Sequence, residues 1–180
     1  ILLMTAVFGV FVLAGCSEDD LKKTSAVLDS PTVENDFDRW LTKNYLEPYN
    51  IDFKYRFKDV LGDMDYNLTP ADYGQAIKLA KLTLHLTLQG YDEVTGNRQF
   101  ISENFPKIVH VIGSPAYNEN NNIVLGVAEG GKMMTLYQVN IIDYLLETKN
   151  IDQLNELFFK TMHHEFGHIL HQTRPYSTDF

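Results

Sequence analysis

A chain of 180 residues, 44% hydrophobic and 12% aromatic, carries enough apolar material for one packed domain and not for several. Its net charge of −9 argues against nucleic acid as a partner. The single cysteine, Cys16, excludes an internal disulfide and a cysteine-built metal site.

Residues 1–13 (ILLMTAVFGVFVL) are apolar, and Leu13-Ala14-Gly15-Cys16 closes the run. The run is shorter than the roughly 20 residues of a membrane-spanning helix. It fits the apolar part of a secretory signal, with a buried N-terminal strand or helix as the alternative. The tetrad resembles a bacterial lipobox, which implies processing before Cys16 and lipidation of that residue. No basic residue precedes the run, so the sequence is expected to be clipped at its start. Residues 17–30 begin Ser17-Glu18-Asp19-Asp20 and hold few groups to bury, so a flexible acidic tether is expected. That acidic run resembles the surface-export signal of Bacteroidota lipoproteins. The expected domain spans 31–180.

Within it, Phe37, Trp40, Leu41 and Tyr45 recur at helical spacing, and the helix should stop before Pro48. Ile51, Phe53, Tyr55 and Phe57 then alternate with Asp52, Lys54, Arg56 and Lys58, the pattern of a half-buried strand. Residues 62–69 read as a loop. Asp63, Asp65 and Asn67 open like a calcium loop, but Leu68 and Gly74 stand where such a loop needs glycine and glutamate. Thr69-Pro70-Ala71-Asp72 predicts a helix capped by Thr69, running to Gln89 and ended by Gly90. His85 on that helix reads as a core or flank residue. Strands are expected at 108–112, 123–128 and 133–139, the last two joined as a hairpin by Glu129-Gly130-Gly131. His110 should face solvent or the core. A short helix follows at 140–148. A longer one is capped by Asn150, with Gln153 placed to reach back, and runs to Thr173. The expected class is α+β, a mixed, mostly antiparallel sheet packed on helices.

The last helix contains His164-Glu165-Phe166-Gly167-His168. Two histidines four apart on a helix project about 40° from one another, so both rings can reach one zinc ion at about 2.0–2.1 Å. Glu165 adjoins the first of them, too close to coordinate well beside it. It is the candidate general base for a water that zinc acidifies towards a pKa of about 7, and it can hand the proton to a leaving amine. Phe158, Met162, Phe166 and Ile169 form an apolar stripe well over about 100° from the two histidines, which should therefore look into a cleft. The plain alternative is a pair of surface or core histidines beside a solvated carboxylate. His171 shares their face but lies about 7 Å along the axis from the midpoint of the pair. It reads as a cleft wall or as support for a ligand rather than as one. His163 is on another face. Glycine at 171 and histidine at 174 would make a metzincin, and His171 and Arg174 stand there instead. A third ligand is expected beyond Phe180, of glutamate type.

Residues 162–172 (MHHEFGHILHQ), with 144–157 (YLLETKNIDQLNEL) and the lipoprotein-like start, resemble the zinc-binding metallopeptidase lipoproteins of Bacteroidota. The resemblance covers most of the chain. It implies a zincin-like, gluzincin-type fold with a long HExxH helix, Zn2+ at His164 and His168, and Glu165 as catalytic base. It also implies a peptide or protein substrate, a membrane anchor at Cys16, an outer-membrane and cell-surface location, and association with a nutrient importer. In zincins a peptide pairs with an edge strand beside the active helix, here 133–139 or 123–128. Two other readings stand beside this one. A non-catalytic accessory lipoprotein could bind peptide or glycan, although Glu165 would then have no task. A zinc hydrolase could act on a non-peptide amide or ester.

Overall fold

The computed structural model describes residues 34–57 and 67–174, except the side chain of Glu129. Cys16, the tether at 17–30, and Asp63 and Asp65 lie outside the described residues. Helix α1 (36–49) starts from a capping box. The Asn35 side chain accepts from the Asp38 N–H at 2.8 Å, and the Asp38 carboxylate accepts from the Asn35 N–H at 2.9 Å. The helix does not stop before Pro48. It widens to π-helical spacing at Thr42–Leu46, continues through Glu47–Tyr49, and ends at Asn50 in the left-handed conformation. A widened turn gives the proline ring room that an α-turn denies it. Strand β1 (Asp52–Lys54) keeps the predicted alternation, with Ile51, Phe53 and Tyr55 buried, over a shorter ladder than the pattern suggests.

Helix α2 (73–95) is capped by Asp72, whose side chain accepts from the Gln75 N–H at 3.1 Å. Thr69 is not the cap. Pro70 pairs with Ile112 in an isolated antiparallel bridge, which holds this stretch extended and moves the helix start three residues on. The helix also passes Gly90. It runs from Tyr73–Thr83 through a π-helical Leu84–Leu88 to Gln89–Thr95, and Gly96 (φ 77°) ends it. His85 is an exposed flank residue, with Nδ1 3.0 Å from Gln89 Oε1. The buried Tyr45 hydroxyl donates to the Ala80 carbonyl at 2.5 Å and ties α1 to α2. Helix α3 (Gln99–Asn104) leads into β2 (Ile108–Val111).

A short antiparallel ribbon follows, β3 (Ala116–Tyr117) with β4 (Ile123–Val124). The predicted strand at 123–128 is therefore split at Leu125, and its second half is β5 (Gly126–Glu129). Strand β5 forms the expected hairpin with β6 (Met133–Leu136), turning on Gly130 and Gly131, both at positive φ. The four-stranded sheet has the order β1-β2-β6-β5. Its β1–β2 and β2–β6 pairings are parallel and only β5–β6 is antiparallel, so the sheet is mixed but mostly parallel. The expectation of a mostly antiparallel sheet is corrected here. Helices α2 and α3 carry the chain back between β1 and β2. The hairpin then places β6 inside and β5 at the edge.

A 3₁₀ turn (Val139–Ile141) precedes α4 (Ile142–Glu147). Asn150 then caps α5 (151–173) by accepting from the Gln153 N–H at 3.2 Å, while the Gln153 side chain reaches the Asn150 side-chain amide rather than its backbone. Helix α5 comprises Ile151–Leu154, a π-helical Asn155–Lys160, and Thr161–Thr173. Its stripe of Phe158, Met162, Phe166 and Ile169 is buried, as its spacing predicts.

His110 on β2 faces inward and is fully buried, and neither ring nitrogen has a hydrogen-bond partner. Desolvation lowers its pKa below the usual histidine value. The unfolded chain takes up this proton near pH 6.5, and the folded chain only at lower pH. Stability should thus fall as pH drops below about 6.5, by at most about 1.4 kcal/mol per unit from this group. Urea midpoints at pH 7.5 and 5.5 check this. His110→Leu should show a smaller drop than the wild type, and an equal drop would exonerate His110.

Candidate metal centre

Helix α5 brings the predicted residues together. His164 Nε2 and His168 Nε2 lie 3.0 Å apart, with ring centroids at 4.5 Å and planes at 88°. Two nitrogens bound tetrahedrally to one zinc at about 2.0–2.1 Å would stand about 3.3 Å apart. The observed spacing is within a few tenths of that, and both rings are exposed on the side of α5 away from the buried stripe. The donor set therefore fits a zinc ion. Among the described residues, no third histidine, cysteine, aspartate or glutamate joins this pair to complete a ligand set.

The pair opens onto a groove between α5 and the edge strand β5. One part, about 230 Å³, is lined by Leu125, Gly126, Glu156, Lys160, His164 and Glu165 among others. The next, about 240 Å³, is lined by Ala128, Gly131, Glu165, His168, Ile169 and Gln172. Glu165 borders both parts, while each histidine borders one. The half-buried Glu165 thus lies where the two parts of the groove meet.

Strand and helix approach closely enough to require glycine. A Cβ on Gly126 would lie 2.7 Å from Thr161 Cγ2 and 3.1 Å from the Thr135 carbonyl oxygen. The back of α5 is fixed by aromatic contacts. Phe166 packs against Tyr91, Phe100 and Phe105 with centroids at 5.4, 5.9 and 5.0 Å. Next to His164, His163 Nδ1 lies 3.0 Å from the Tyr91 hydroxyl, and burial lowers the pKa of this histidine.

His171 is exposed one turn beyond His168 and is not among the residues lining these two parts of the groove. Four contributors escaped sequence reasoning. Glu156 and Lys160 lie two turns and one turn before His164, a spacing of four that was readable. Gly126 inside a strand pattern was a readable sign of close approach. Tyr91, 72 residues from His163, carried no local signal.

A histidine pair converging on one point, with a carboxylate between the halves of a groove on an α+β sheet edge, is a site suited to a metal-dependent hydrolase. The chain belongs to the family described as "Putative zinc-binding metallo-peptidase", whose profile matches residues 30–180. It is also similar to a crystal structure from Bacteroides caccae with the same description, at 43% identity and a TM-score of 0.60. The match covers 79% of this chain and 52% of that one, so this chain spans about half the length of that protein. Zinc is the metal named in both descriptions. No curated protein matches the chain.

Proposed function

We propose that His164 and His168 hold zinc and that Glu165 is the general base of a peptidase. One observation carries the reading: the Nε2 atoms converge at 3.0 Å while Glu165 borders both halves of the groove beside β5. Bound there, zinc would acidify a water and polarise a carbonyl. Glu165 accepts the proton of the attacking water and returns it to the leaving amine. The imidazoles are aimed by α5, whose opposite face is anchored in the aromatic core. Strand β5, at the edge of the sheet and alongside the groove, offers its free backbone groups to an extended peptide. The remaining protein ligand comes from outside residues 34–174, a glutamate by analogy with gluzincins. His171 supports the site without binding the metal.

Cys16 is the proposed lipid anchor, on the strength of the apolar run and the Leu13-Ala14-Gly15-Cys16 tetrad. With the acidic tether at 17–30, it would place the domain at the cell surface on the outer membrane, where its products could feed a nutrient importer. The experiment is metal analysis and peptide-library hydrolysis on the full-length protein and on His168→Ala. About one zinc per chain is expected in the first and a sharply lower content in the second, with cleavage lost. Unchanged zinc in His168→Ala would remove it as a ligand. Zinc without cleavage in the wild type would favour the accessory binding protein or a non-peptide substrate.

A further inference from the structure

The groove continues past His168 into a third depression of about 330 Å³ at the C-terminal end of α5. Gly131 and Ile169 line both this pocket and the His168 part of the groove, so the two are contiguous. Its described charged side chains are three cations, Lys107, Lys132 and Arg174, against one carboxylate, Glu103. Glu103 accepts from Gln99 Nε2 at 2.6 Å, lies 3.5 Å from Arg174 Nη2 and also acts on Lys107, so a single carboxylate faces three cations, and Arg174 Nε donates to Asn104 Oδ1 at 2.7 Å. Lys107 donates to the Ser102 carbonyl, which fixes the ammonium without neutralising it.

The opposite end of the groove is electrically different. Its lysine, Lys160, donates to both oxygens of Glu156 at 2.8 and 2.7 Å. That end matches one lysine with one carboxylate, whereas the Arg174 end, where Glu103 pairs with Arg174, still holds more cations than carboxylates. On a protein with net charge −9 this local excess is against the general trend. It would favour one orientation of an acidic chain in the groove.

We propose that Lys107, Lys132 and Arg174 form a carboxylate-binding subsite, so that the substrate is a peptide bearing an acidic group to one side of the bond cleaved. The proposal rests on the peptidase reading above for the groove's occupant. Arg174 lies six residues past His168, about 9 Å along the helix axis at about 1.5 Å per residue. An extended peptide advances about 3.3 Å per residue, which puts the carboxylate two or three residues from the scissile bond. Arginine and lysine suit such a partner because each still has N–H donors to offer.

The test uses the full-length, zinc-loaded protein carrying Glu165→Gln, which separates binding from turnover. One glutamate is walked along an otherwise neutral fluorescent peptide, and binding is read by anisotropy. Tighter binding, by about fivefold to tenfold, is expected when the glutamate stands two or three residues to one side of the centre, and it should weaken with salt. Lys132→Gln with Arg174→Gln, both exposed side chains, should abolish the positional preference, while circular dichroism confirms that the fold is kept. No preference in the parent, or a preference that survives the double substitution, would overturn the subsite. Selective binding by a protein whose Glu165-bearing form cleaves nothing would keep the subsite and sink the peptidase. Cleavage indifferent to the glutamate would do the reverse.

Discussion

Glu165→Gln should leave zinc at wild-type stoichiometry and lower kcat by about 10²–10⁴-fold, the usual contribution of a positioned general base. Glutamine keeps the size and the hydrogen-bonding oxygen of the side chain but cannot accept a proton. It also leaves His164 and His168 untouched, so the 3.0 Å convergence of their Nε2 atoms should persist. The half-buried position of Glu165 between the two parts of the groove predicts how the loss divides. The proton is taken only as the reaction proceeds, so kcat and kcat/KM should fall together, with KM little changed. Glu165→Asp retains the acid but withdraws it by a methylene, and should fall between the two. Metal analysis beside steady-state kinetics checks the set. A Glu165→Gln enzyme with near-normal kcat would remove the residue as base. One that has lost its zinc would mean that the carboxylate holds the metal site together instead.

That the juxtaposition of His164, Glu165 and His168 is legible in the sequence while the pairing of the sheet is not follows from the range of the interactions involved. His164, Glu165 and His168 depend on one another through a single helical turn, and the stripe from Phe158 to Ile169 signals that turn by its own spacing. The alternation from Ile51 to Tyr55 and the glycine pair at 130–131 are equally local. Parallel pairing of β2 with β1 and β6 is not local. It joins segments separated by two helices and by a hairpin, and nothing in the residues of β2 records the direction of its neighbours. The helix ends were misplaced for another reason. Pro48 and Gly90 are common terminators, yet α1 widens into π-helical spacing before its proline, and α2 does so before its glycine. Backbone hydrogen bonds that shift by one residue leave no side-chain signature. The position of β5 at the edge, which leaves the groove beside α5 open, likewise emerges only when the sheet is assembled.

Phe166→Ala should be the most damaging single substitution near the site, at about 3–5 kcal/mol of stability. The side chain is fully buried and lies at the meeting point of Tyr91, Phe100 and Phe105. Those contacts draw on α2, on α3 and on the chain just after α3, so the cavity would open where three parts of the fold converge on α5. Because Phe166 sits between His164 and His168 in sequence and faces the other way, it also sets the rotation of the helix about its axis. A loosened anchor should therefore weaken zinc binding as well as lower the unfolding midpoint, although His164 and His168, the proposed ligands, are unchanged. Phe166→Leu fills most of the volume and should cost less on both measures. Urea unfolding and zinc titration of the two variants test whether packing and metal affinity move together. If Phe166→Ala lost stability and kept full zinc affinity, the aromatic core would hold the helix in place without aiming its ligands, and rigidity of the backbone alone would have to account for the convergence of the two imidazoles.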